Sequence, residues 1–401
     1  MDESRKVAIV TPIAPYPPDS GSKLRIYHLI RILNKEGFRV FLLVFDPNSS
    51  DRVPNSLKHW CEEIVFLKNK EFFRNDSFYR HIVNNLWRKP FIPRPKMTQE
   101  LHKVLERWAP NFVQIEKTIT ANYLDIQYLK DSGMRIVLEE GGVHHLAYER
   151  EAGIKTSLFE RWLFRRRACR LKQFETKLLD RIDTVIAVSE KEAKLLRRMN
   201  PRVNALEVPN GVDEKIVNEE VSPAGEREWA AFFCGNLSYR PNRDAVEICL
   251  RQVMPELKRK GIEMDFVIAG GGISKDLMAE VEKNSRFHLL GYVDDISSYF
   301  KKYAFFINPM RLGGGTRLKM LEAMAYGMAC VSTSIGAEGI RIEPGIHALL
   351  ADLPTDLAKC LAYLGHNPER VTKLGEAARN LVKEHYLWPN CTKALVSLYR
   401  K

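Results

Sequence analysis

Short, continuous hydrophobic runs alternate along this chain with longer stretches in which apolar residues recur every third or fourth position. The first runs, KVAIVTPI and FRVFLLVF, are uninterrupted, as expected for parallel strands covered on both faces. The stretch between them carries apolar residues three apart, on one face of a helix, at Leu24, Tyr27, Ile30 and Leu33. The first 45 residues therefore predict a strand, a loop, a helix and a second strand.

The same alternation continues along the chain. RIVLEE (135–140) and TVIAVS (184–189) are strand-like, and SEKEAKLL has the pattern of a capped helix start. In the second half the runs WAAFFCG, MDFVIAGGG, RFHLLG, AFFINP and ACVSTS are separated by helical stretches. Strands that alternate with helices predict parallel sheets. The predicted fold class is α/β, with two Rossmann-like domains facing a cleft where ligands bind at the carboxyl ends of the strands.

A turn-rich polar segment at 208–226 is the best candidate for the linker between these domains. It places an N-terminal domain at 1–213 and a C-terminal domain at 214–380. We expect 381–401 to form a C-terminal helix that packs back on the N-terminal domain.

Composition narrows the class of protein. The 401 residues are 45% hydrophobic, but no apolar run approaches the ~20 residues of a membrane-spanning helix. The N-terminus has acidic residues before its basic ones and enters a strand directly, unlike a secretory signal. The seven cysteines form no C-x-x-C pair, so neither a disulfide framework nor a zinc site is indicated. We predict a cytoplasmic protein.

The segment INPMRLGGGTRLKMLEAMAYG places three glycines between a strand and a helix. If the helix begins near Thr316 with Gly315 as its N-cap, the N–H groups of Thr316, Arg317 and Leu318 are free to bind an anion. Gly313, Gly314 and Gly315 allow the backbone to approach a ligand closely. A flexible loop before an ordinary surface helix is the alternative interpretation.

Two charged residues follow on the same helix. Lys319 and Glu322 lie three residues apart, on one face, while Leu318 and Leu321 face the core. A carboxylate one turn behind bound phosphates is well placed to accept two hydrogen bonds from a ribose diol.

Five segments, in order and spacing, resemble the retaining, GT-B-fold glycosyltransferases related to glycogen synthase and sucrose-phosphate synthase. They are VPNGVD (208–213), FCGNLSYRPN (233–242), FVIAGGG (266–272), LLGYVDDISSYF (289–300) and the glycine segment with its following LEAMA. The pattern RxGGGTRLKxLE is similar to a subgroup associated with exopolysaccharide and cell-surface glycan assembly. The resemblance implies a hexosyltransferase that moves a sugar from a UDP- or GDP-sugar to a glycan or lipid-linked acceptor.

The resemblance also implies roles for individual positions. Glu322 would bind the ribose hydroxyls, the backbone from Gly315 to Leu318 would hold the diphosphate, and Tyr292 and Val293 would sit beside the base. Many members carry a glutamate eight residues before this carboxylate, where this chain has Gly314. Where many members have an arginine after the strand glycine and then a lysine, this chain has Asn236 and Arg240. Arg240 is the nearest stand-in for the lysine, and Arg317 or Lys319 could supply the missing charge. Arg311, just before the glycines, is a further donor-binding candidate.

The N-terminal half contributes two further candidates. Gly21, in PPDSGSKLR, matches a family glycine loop that approaches the donor phosphate, although a plain turn is equally consistent with the sequence. In LEEGGVHHLAYER, His144 and His145 follow a predicted strand end, where an imidazole suits sugar contact or proton transfer. His144 is the preferred catalytic residue.

No D-x-D metal motif occurs, so we expect no metal and no cofactor. The leaving diphosphate would be neutralised by the cations and helix-end amides of 311–319. The family's retaining chemistry needs no protein nucleophile, because the departing phosphate oxygen can deprotonate the acceptor on the same face of the sugar.

Positive charge is concentrated in the N-terminal half. Residues 1–213 hold 37 basic and 27 acidic residues, a net charge of +10 out of +12 for the chain. Segments 72–96 and 161–181 mix aromatic and basic residues, and the second holds eight basic residues beginning beside Trp162 and Phe164. Such a surface could lie on an anionic membrane as a peripheral protein, or be a solvated basic helix with its aromatics in the core.

Other classes fit less well. A nucleic-acid protein would show an aromatic RNA-binding signature or zinc spacing, and a nicotinamide dehydrogenase would need G-x-G-x-x-G after the first strand. Neither occurs. A sugar-nucleotide epimerase of the same architecture and a non-catalytic glycan-assembly scaffold remain the alternatives.

Overall fold

The chain folds into two compact units, each built on a parallel sheet. The structure is a computed structural model that describes residues 5–45, 55–67 and 95–401. Unit 1 comprises residues 1–209 together with 392–401, and unit 2 comprises residues 210–391. The predicted α/β class with two parallel-sheet domains is confirmed.

Unit 1 contains a seven-stranded parallel sheet. Its strand order is β3-β2-β1-β4-β5-β6-β7, so the direction of winding reverses between the first and fourth strands. The strands are β1 (Lys6–Thr11), β2 (Arg39–Val44), β3 (Glu63–Phe66), β4 (Phe112–Glu116), β5 (Arg135–Glu139), β6 (Thr184–Ala187) and β7 (Asn204–Glu207).

Helices cover both faces of this sheet. They are α1 (Gly21–Lys35), α2 (Asn55–Lys58), α3 (Pro95–Trp108), α4 (Ile126–Asp131), α5 (His144–Ile154), α6 (Leu158–Leu179) and α7 (Glu190–Met199), with a 3₁₀ turn at Thr120–Tyr123. Alternate residues of β1 enter opposite cores: Val7 and Ile9 pack on one face, Ala8 and Val10 on the other. The predicted cap of α7 is present, because Ser189 Oγ accepts the N–H of Glu192 at 3.3 Å.

A buried ion pair anchors the point where the chain leaves unit 1. The Arg25 guanidinium donates to both carboxylate oxygens of Glu139, at 3.1 and 3.0 Å. It also donates to the carbonyls of Val208 and Pro209, at 2.8 and 3.2 Å. Because the pair is buried and bidentate, removing either partner would leave an uncompensated charge in the core.

Unit 2 contains a six-stranded parallel sheet of order β10-β9-β8-β11-β12-β13. Its strands are β8 (Glu228–Cys234), β9 (Asp265–Ala269), β10 (Phe287–Gly291), β11 (Tyr303–Asn308), β12 (Ala329–Ser332) and β13 (Leu349–Leu350). β8 and β11 are fully buried toward their carboxyl ends, which explains the continuous apolar runs in their sequences.

The helices of unit 2 lie before, between and after these strands. They are α8 (Glu214–Asn218), α9 (Arg240–Ile248), α10 (Met254–Arg259), α11 (Lys275–Val281), α12 (Ser297–Lys302), α13 (Leu318–Ala325), α14 (Pro354–Gly365), α15 (Pro368–His385) and α16 (Trp388–Cys391). A 3₁₀ turn spans Ala224–Glu226, and a π-helical stretch, Cys249–Val253, joins α9 to α10.

The segment 208–226 is a linker only at its start. The chain passes from unit 1 to unit 2 at Pro209, four residues before the predicted boundary at 213, and residues from 210 onward pack into unit 2. Val212, Val217 and Ala224 are buried there. A Cβ on Gly211 would lie 2.7 Å from the backbone nitrogen of Trp388, so this turn is held against α16. The polar, turn-rich sequence of this segment is typical of an exposed linker, although its apolar residues are buried in unit 2.

The C-terminal segment divides differently from the predicted 381–401. Residues 381–391 complete α15 and α16 of unit 2, and the final helix, α17 (Lys393–Arg400), belongs to unit 1. Leu395, Val396 and Tyr399 of α17 are buried in the core beside β1 and β4. Among the described residues, no helix is both long enough and apolar enough to cross a membrane.

Tyr399 allows a test of how much α17 contributes to unit 1. Its ring lies 4.8 Å from that of Phe112 between centroids, and its hydroxyl donates to Gln114 Oε1 at 2.6 Å. We expect Tyr399→Phe to lower the free energy of unfolding by about 1–2 kcal/mol, since a buried acceptor loses its donor. Tyr399→Ala should cost about 3–5 kcal/mol through the cavity it leaves.

The measurement is urea unfolding followed by circular dichroism, with hydrogen exchange of peptides from β1 and β4 to locate the loss. Tyr363→Ala, at a tyrosine that is 50% exposed in unit 2, is the matched control and should change stability by less than about 0.5 kcal/mol. Equal effects of the two alanine substitutions would contradict a structural role for α17.

Candidate functional site

The site in unit 2 lies where the winding of its sheet reverses. β8 pairs with β9 on one side and β11 on the other, so the loops that follow β8 and β11 leave in opposite directions. Ligands of open α/β sheets bind in the gap that this reversal leaves at the carboxyl ends of the strands. FCGNLSYRPN follows β8 and the glycine triplet follows β11. The two segments singled out from the sequence therefore meet at one edge.

Two glycines allow the loops after β8 and β9 to touch through their backbones. Gly270 has φ of +148°, and a Cβ there would lie 2.0 Å from the carbonyl oxygen of Gly235. A Cβ on Gly235 would lie 2.5 Å from Lys319 Nζ. Only glycine fits at these positions. The absence of side chains keeps the space in front of Lys319 open.

The glycine triplet adopts a conformation that requires glycine at two of its three positions. Gly313 and Gly315 have φ of +86° and +77°. The helix that follows begins later than predicted, at Leu318, with Arg317 rather than Gly315 as its N-cap. The free helix-end amides are thus those of Leu318 and Lys319, because Met320 N–H already donates to Arg317 O at 2.9 Å.

Arg317 explains this later start. Its side chain is buried and donates to the carbonyls of Leu312, at 3.1 Å, and Gly314. Its own backbone is extended (φ −87°, ψ 96°), so it closes the glycine loop before the helix begins. A role for its charge in binding phosphate stays a prediction; the contacts give Arg317 a positioning role in the loop.

Lys319 and Glu322 lie on the first turns of α13, as predicted, with Leu318 and Leu321 buried beneath them. Lys319 Nζ donates to Asn242 Oδ1 at 2.7 Å and lies 4.2 Å from the centre of the Phe233 ring. Burial lowers the pKa of Lys319 to about 8. Burial also raises the pKa of Glu322 to about 7, against the opposing influence of the Lys319 charge. Both groups can therefore change charge near neutral pH.

The remaining cationic candidates are Arg311 and Arg240. The Arg311 guanidinium forms a bidentate ion pair with Asp244 of α9, at 2.9 and 3.0 Å. Arg240 is exposed at the first turn of the same helix. Asn236 Oδ1 accepts the backbone N–H of Ser238 at 2.9 Å, which shapes the loop leading to α9.

Further contacts hold the glycine loop and extend the edge. A Cβ on Gly339, where φ is +83°, would lie 2.4 Å from Thr316 Oγ1, so the loop after β12 supports the glycine loop. Tyr292 and Val293 follow β10, and Gly270 N–H donates to Gly291 O at 2.7 Å beside them. Tyr292 is 71% exposed, so its ring is accessible for stacking by a planar group.

In unit 1 the structure separates the roles of the two predicted histidines. His145 is buried, and its Nδ1 lies 2.5 Å from Glu175 Oε2. Glu175 Oε1 also accepts the backbone N–H groups at the start of α5, so this histidine belongs to a structural cap. His144 is partly exposed, with Nε2 3.7 Å from Glu140 Oε1. Burial lowers the pKa of His144, which favours the neutral imidazole that a proton acceptor needs.

Glu140 and Gly21 complete the carboxyl edge of unit 1. Burial, with the nearby Glu175 charge, holds the pKa of Glu140 well above its usual range. The second oxygen of Glu140 accepts a hydrogen bond from Thr118. Gly21 is the exposed first residue of α1, directly after Ser20. The segment 72–96 lies outside the described residues, apart from the two residues that begin α3.

Sequence reasoning missed Asn242, Asp244 and Gly270, which position the cations rather than bind directly. Asn242 and Asp244 were invisible because their partners are more than sixty residues away along the chain. Gly270 carried a readable signal, since it follows directly after a buried strand. Within the described residues, no group of three or more His, Cys, Asp and Glu side chains could hold a metal ion.

Comparison with known proteins decides the family. The profile described as "Glycosyl transferases group 1" matches residues 230–367, and "Glycosyltransferase Family 4" matches residues 20–215. The first match lies in unit 2, the second covers most of unit 1 and the first six residues of unit 2, and together they cover most of the chain. The chain is a glycosyltransferase of the group 1 type.

Individual proteins are similar to this chain at low sequence identity, and solved structures among them share its fold. The glycosyltransferase is 22% identical to an uncharacterized protein in the cps region of Klebsiella pneumoniae, over 95% of this chain and 96% of that one. Sucrose-phosphate synthase from Thermosynechococcus elongatus shares the fold, with a TM-score of 0.78, 15% identity and coverage of 99% and 98%. Anabaena Alr3699/HepE, solved in complex with UDP and glucose, gives a TM-score of 0.72 at 11% identity, with 99% of each chain covered.

The backbone contact between Gly270 and Gly235 generates a prediction. Gly270→Ala should displace the loop after β8, and with it Asn242 and Lys319, so nucleotide binding should fall by at least about tenfold, ~1.4 kcal/mol. Gly261→Ala is the matched control, because Gly261 also has a positive φ (+72°) but nothing lies within 4 Å of its added Cβ.

Isothermal titration with UDP and GDP measures both variants. If they bind equally well, the glycine contact does not shape the site.

Proposed function

We propose that this glycosyltransferase moves a hexose from a UDP- or GDP-sugar to a hydroxyl of a glycan or lipid-linked acceptor, with retention of anomeric configuration. Its product would enter cell-surface polysaccharide or glycolipid assembly, at the cytoplasmic face of an anionic membrane. The observation that carries the proposal is the placement of Lys319 and Glu322 on one helix directly behind the glycine triplet, at the strand reversal of unit 2.

Binding of the donor's nucleotide would explain why Lys319 and Glu322 lie on the same face of one helix. Glu322 is a carboxylate, and ionised it would accept hydrogen bonds from both hydroxyls of a ribose. Tyr292 and Val293 would lie beside the base. The backbone from Gly315 to Leu318 would hold the diphosphate, because it joins helix-end amides to a glycine triplet that a ligand can approach closely. The Anabaena neighbour was solved with UDP and glucose, which supports a nucleotide-sugar donor.

Positive charge near the glycine loop would stabilise the diphosphate as it leaves. Lys319 is held by a neutral amide, so its charge is not cancelled by a carboxylate partner. Arg240 at the first turn of α9 would add to the field, Arg311 would contribute only in so far as the diphosphate competes with Asp244 for it, and Arg317 and Thr316 would fix the loop. Charge that is already in place when the bond breaks lowers the barrier without reorganisation. We expect this set to act without a metal ion.

Retention follows if the leaving group itself is the base. The C–O bond to the diphosphate breaks, the diphosphate oxygen takes the proton of the acceptor hydroxyl, and that hydroxyl oxygen bonds the same face of the sugar. No protein nucleophile is needed. His144 of unit 1 would contact the sugar as a neutral hydrogen-bonding group, and Gly21 would let the start of α1 approach the phosphate. The cps-region relative supports a cell-surface product.

Turnover with and without acceptor tests the proposal. We expect purified protein to release UDP or GDP from its donor when a lipid-linked glycan acceptor is present, to be unaffected by EDTA, and to give a product whose anomeric configuration by NMR matches the donor. Nucleoside diphosphate should bind much more tightly than monophosphate. Sugar conversion without acceptor would identify an epimerase, and nucleotide binding without any turnover would identify a scaffold.

The pKa values of Glu322 and Lys319 predict how nucleotide affinity depends on pH. Below about pH 7 Glu322 takes up a proton, which weakens its hydrogen bonds to the ribose because one oxygen becomes a donor and the charge is lost; above about pH 8 Lys319 loses its charge. Affinity should therefore peak between these values and fall on both sides, approaching tenfold per pH unit on the acid side.

Glu322→Gln isolates the acid limb. It should weaken UDP or GDP binding at neutral pH by about 1–3 kcal/mol and abolish the fall in affinity that is due to Glu322. The nucleotide's own phosphate titrates identically in both proteins, so the difference between the two profiles reports the side chain. Superimposable profiles would show that Glu322 does not contact the ribose.

A further inference from the structure

The start of α6 exposes three large apolar side chains within five residues. Leu158, Phe159 and Trp162 are 77%, 67% and 50% exposed. The rings of Phe159 and Trp162 stack, with centroids 6.1 Å apart. The other exposed large hydrophobic residues in the described parts of the chain occur singly. A contiguous exposed apolar patch of this kind marks an interaction surface.

The corner that carries this patch is well fixed. Ser157 caps α6 by accepting the N–H of Glu160, and Arg161 donates to the carbonyl of Lys155 at 3.0 Å. Phe164 turns inward and packs on Tyr148 of α5, with centroids 6.2 Å apart. Of the two aromatic residues singled out from the sequence, Trp162 faces outward and Phe164 does not. The apolar patch is therefore a property of the folded corner and not of a loose end.

Basic residues surround the patch on the next turn of the helix. Arg165 and Arg166 are exposed, and the Arg166 guanidinium lies 5.2 Å from the centre of the Trp162 ring. Residues 158–172 contain six basic residues and one acidic residue, Glu160. At a rise of ~1.5 Å per residue, the arginines lie about 5 Å along the axis from Trp162. That separation suits an aromatic residue inserted below a layer of lipid phosphates.

We propose that this corner, Leu158–Arg166, docks unit 1 on an anionic lipid bilayer, with Phe159 and Trp162 inserted among the headgroups and Arg165 and Arg166 at the phosphates. The inference rests on the proposed function, because it identifies the surface from which a lipid-linked acceptor would be taken. We choose an anionic lipid bilayer as the partner because the corner combines exposed apolar side chains with a strong excess of positive charge.

The docked corner is connected directly to the candidate catalytic residue. α5 begins at His144 and ends one short turn before α6, and its eleven residues span about 16 Å. An acceptor whose lipid stays in the bilayer and whose sugar projects outward could thus come within reach of His144. Docking through the corner would set the height of that histidine above the membrane.

Co-sedimentation of the full-length protein with large unilamellar vesicles tests the proposal. The probes are vesicles of phosphatidylglycerol with phosphatidylcholine and vesicles of phosphatidylcholine alone, each at low and high salt. We expect binding to the anionic vesicles at low salt. Phe159→Ser with Trp162→Ser should reduce that binding by roughly tenfold or more. Arg165→Ser with Arg166→Ser should reduce it by roughly fivefold per arginine and lower its salt dependence.

Matched variants separate the patch from general surface effects. Tyr363→Ser and the pair Lys359→Ser with Lys373→Ser change exposed residues of unit 2 and should leave vesicle binding unchanged. Trp162→Phe should keep binding but lose quenching of tryptophan fluorescence by brominated lipid. Nucleotide affinity of every variant should match the wild type, which separates a failure of docking from a failure of the proposed transferase site.

Three results would overturn the proposal. One is wild-type protein that ignores anionic vesicles at low salt, and another is binding that the corner variants leave unchanged. The third is a dimer that dissociates on Phe159→Ser with Trp162→Ser in the absence of vesicle binding, because it would assign the patch to a second copy of the chain.

Discussion

The reversal of strand order between β8 and β11 is the constraint on which the candidate site depends. It opens a gap at one edge of a sheet that is otherwise covered by loops, and the approach of Gly270 to Gly235 keeps that gap clear. Because the two backbones touch, the loop after β8 can lead straight into α9, whose Asn242 and Asp244 meet side chains from beyond β11. A methyl group at either glycine would push these partners apart. The backbone contact between the two glycines therefore determines where the charged side chains of the site lie.

The cations of the glycine segment are not equivalent, although the sequence shows them as one cluster. Arg311 is paired with a carboxylate, and Arg317 donates to carbonyls of its own loop. Lys319 is the one of these three whose hydrogen-bond partner is a neutral amide and whose pKa is lowered by burial to about 8. Burial makes the Lys319 ammonium costly, the Glu322 charge offsets part of that cost, and an incoming diphosphate would relieve more of it. Binding of an anion would thereby stabilise unit 2 as well as occupy it.

The sequence was sufficient for the features that local physics determines. Continuous apolar runs identified the parallel strands, and the positive φ of Gly313 and Gly315 accounts for the glycine triplet. Prediction from the sequence failed where a contact formed in the folded loop sets the structure. The helix α13 starts at Leu318 and not near Thr316, because the Arg317 side chain folds back on Leu312 and Gly314. The turn-rich stretch after Pro209 looked like a linker because its burial depends on α16, which is remote in sequence. The donor-site candidates in unit 2 are connected by contacts that no periodicity reveals.

The return of α17 to unit 1 affects how the chain can fold as it is made. All of unit 2 leaves the ribosome before residues 392–401 do, so unit 2 is complete while unit 1 still lacks Leu395 and Tyr399 from its core. Domains generally fold as units during synthesis. Here the unit that is translated first is the one that finishes last. Until residues 392–401 pack, the apolar surface of Phe112 that Tyr399 later covers stays exposed, and transiently exposed apolar surface makes a nascent chain prone to aggregation.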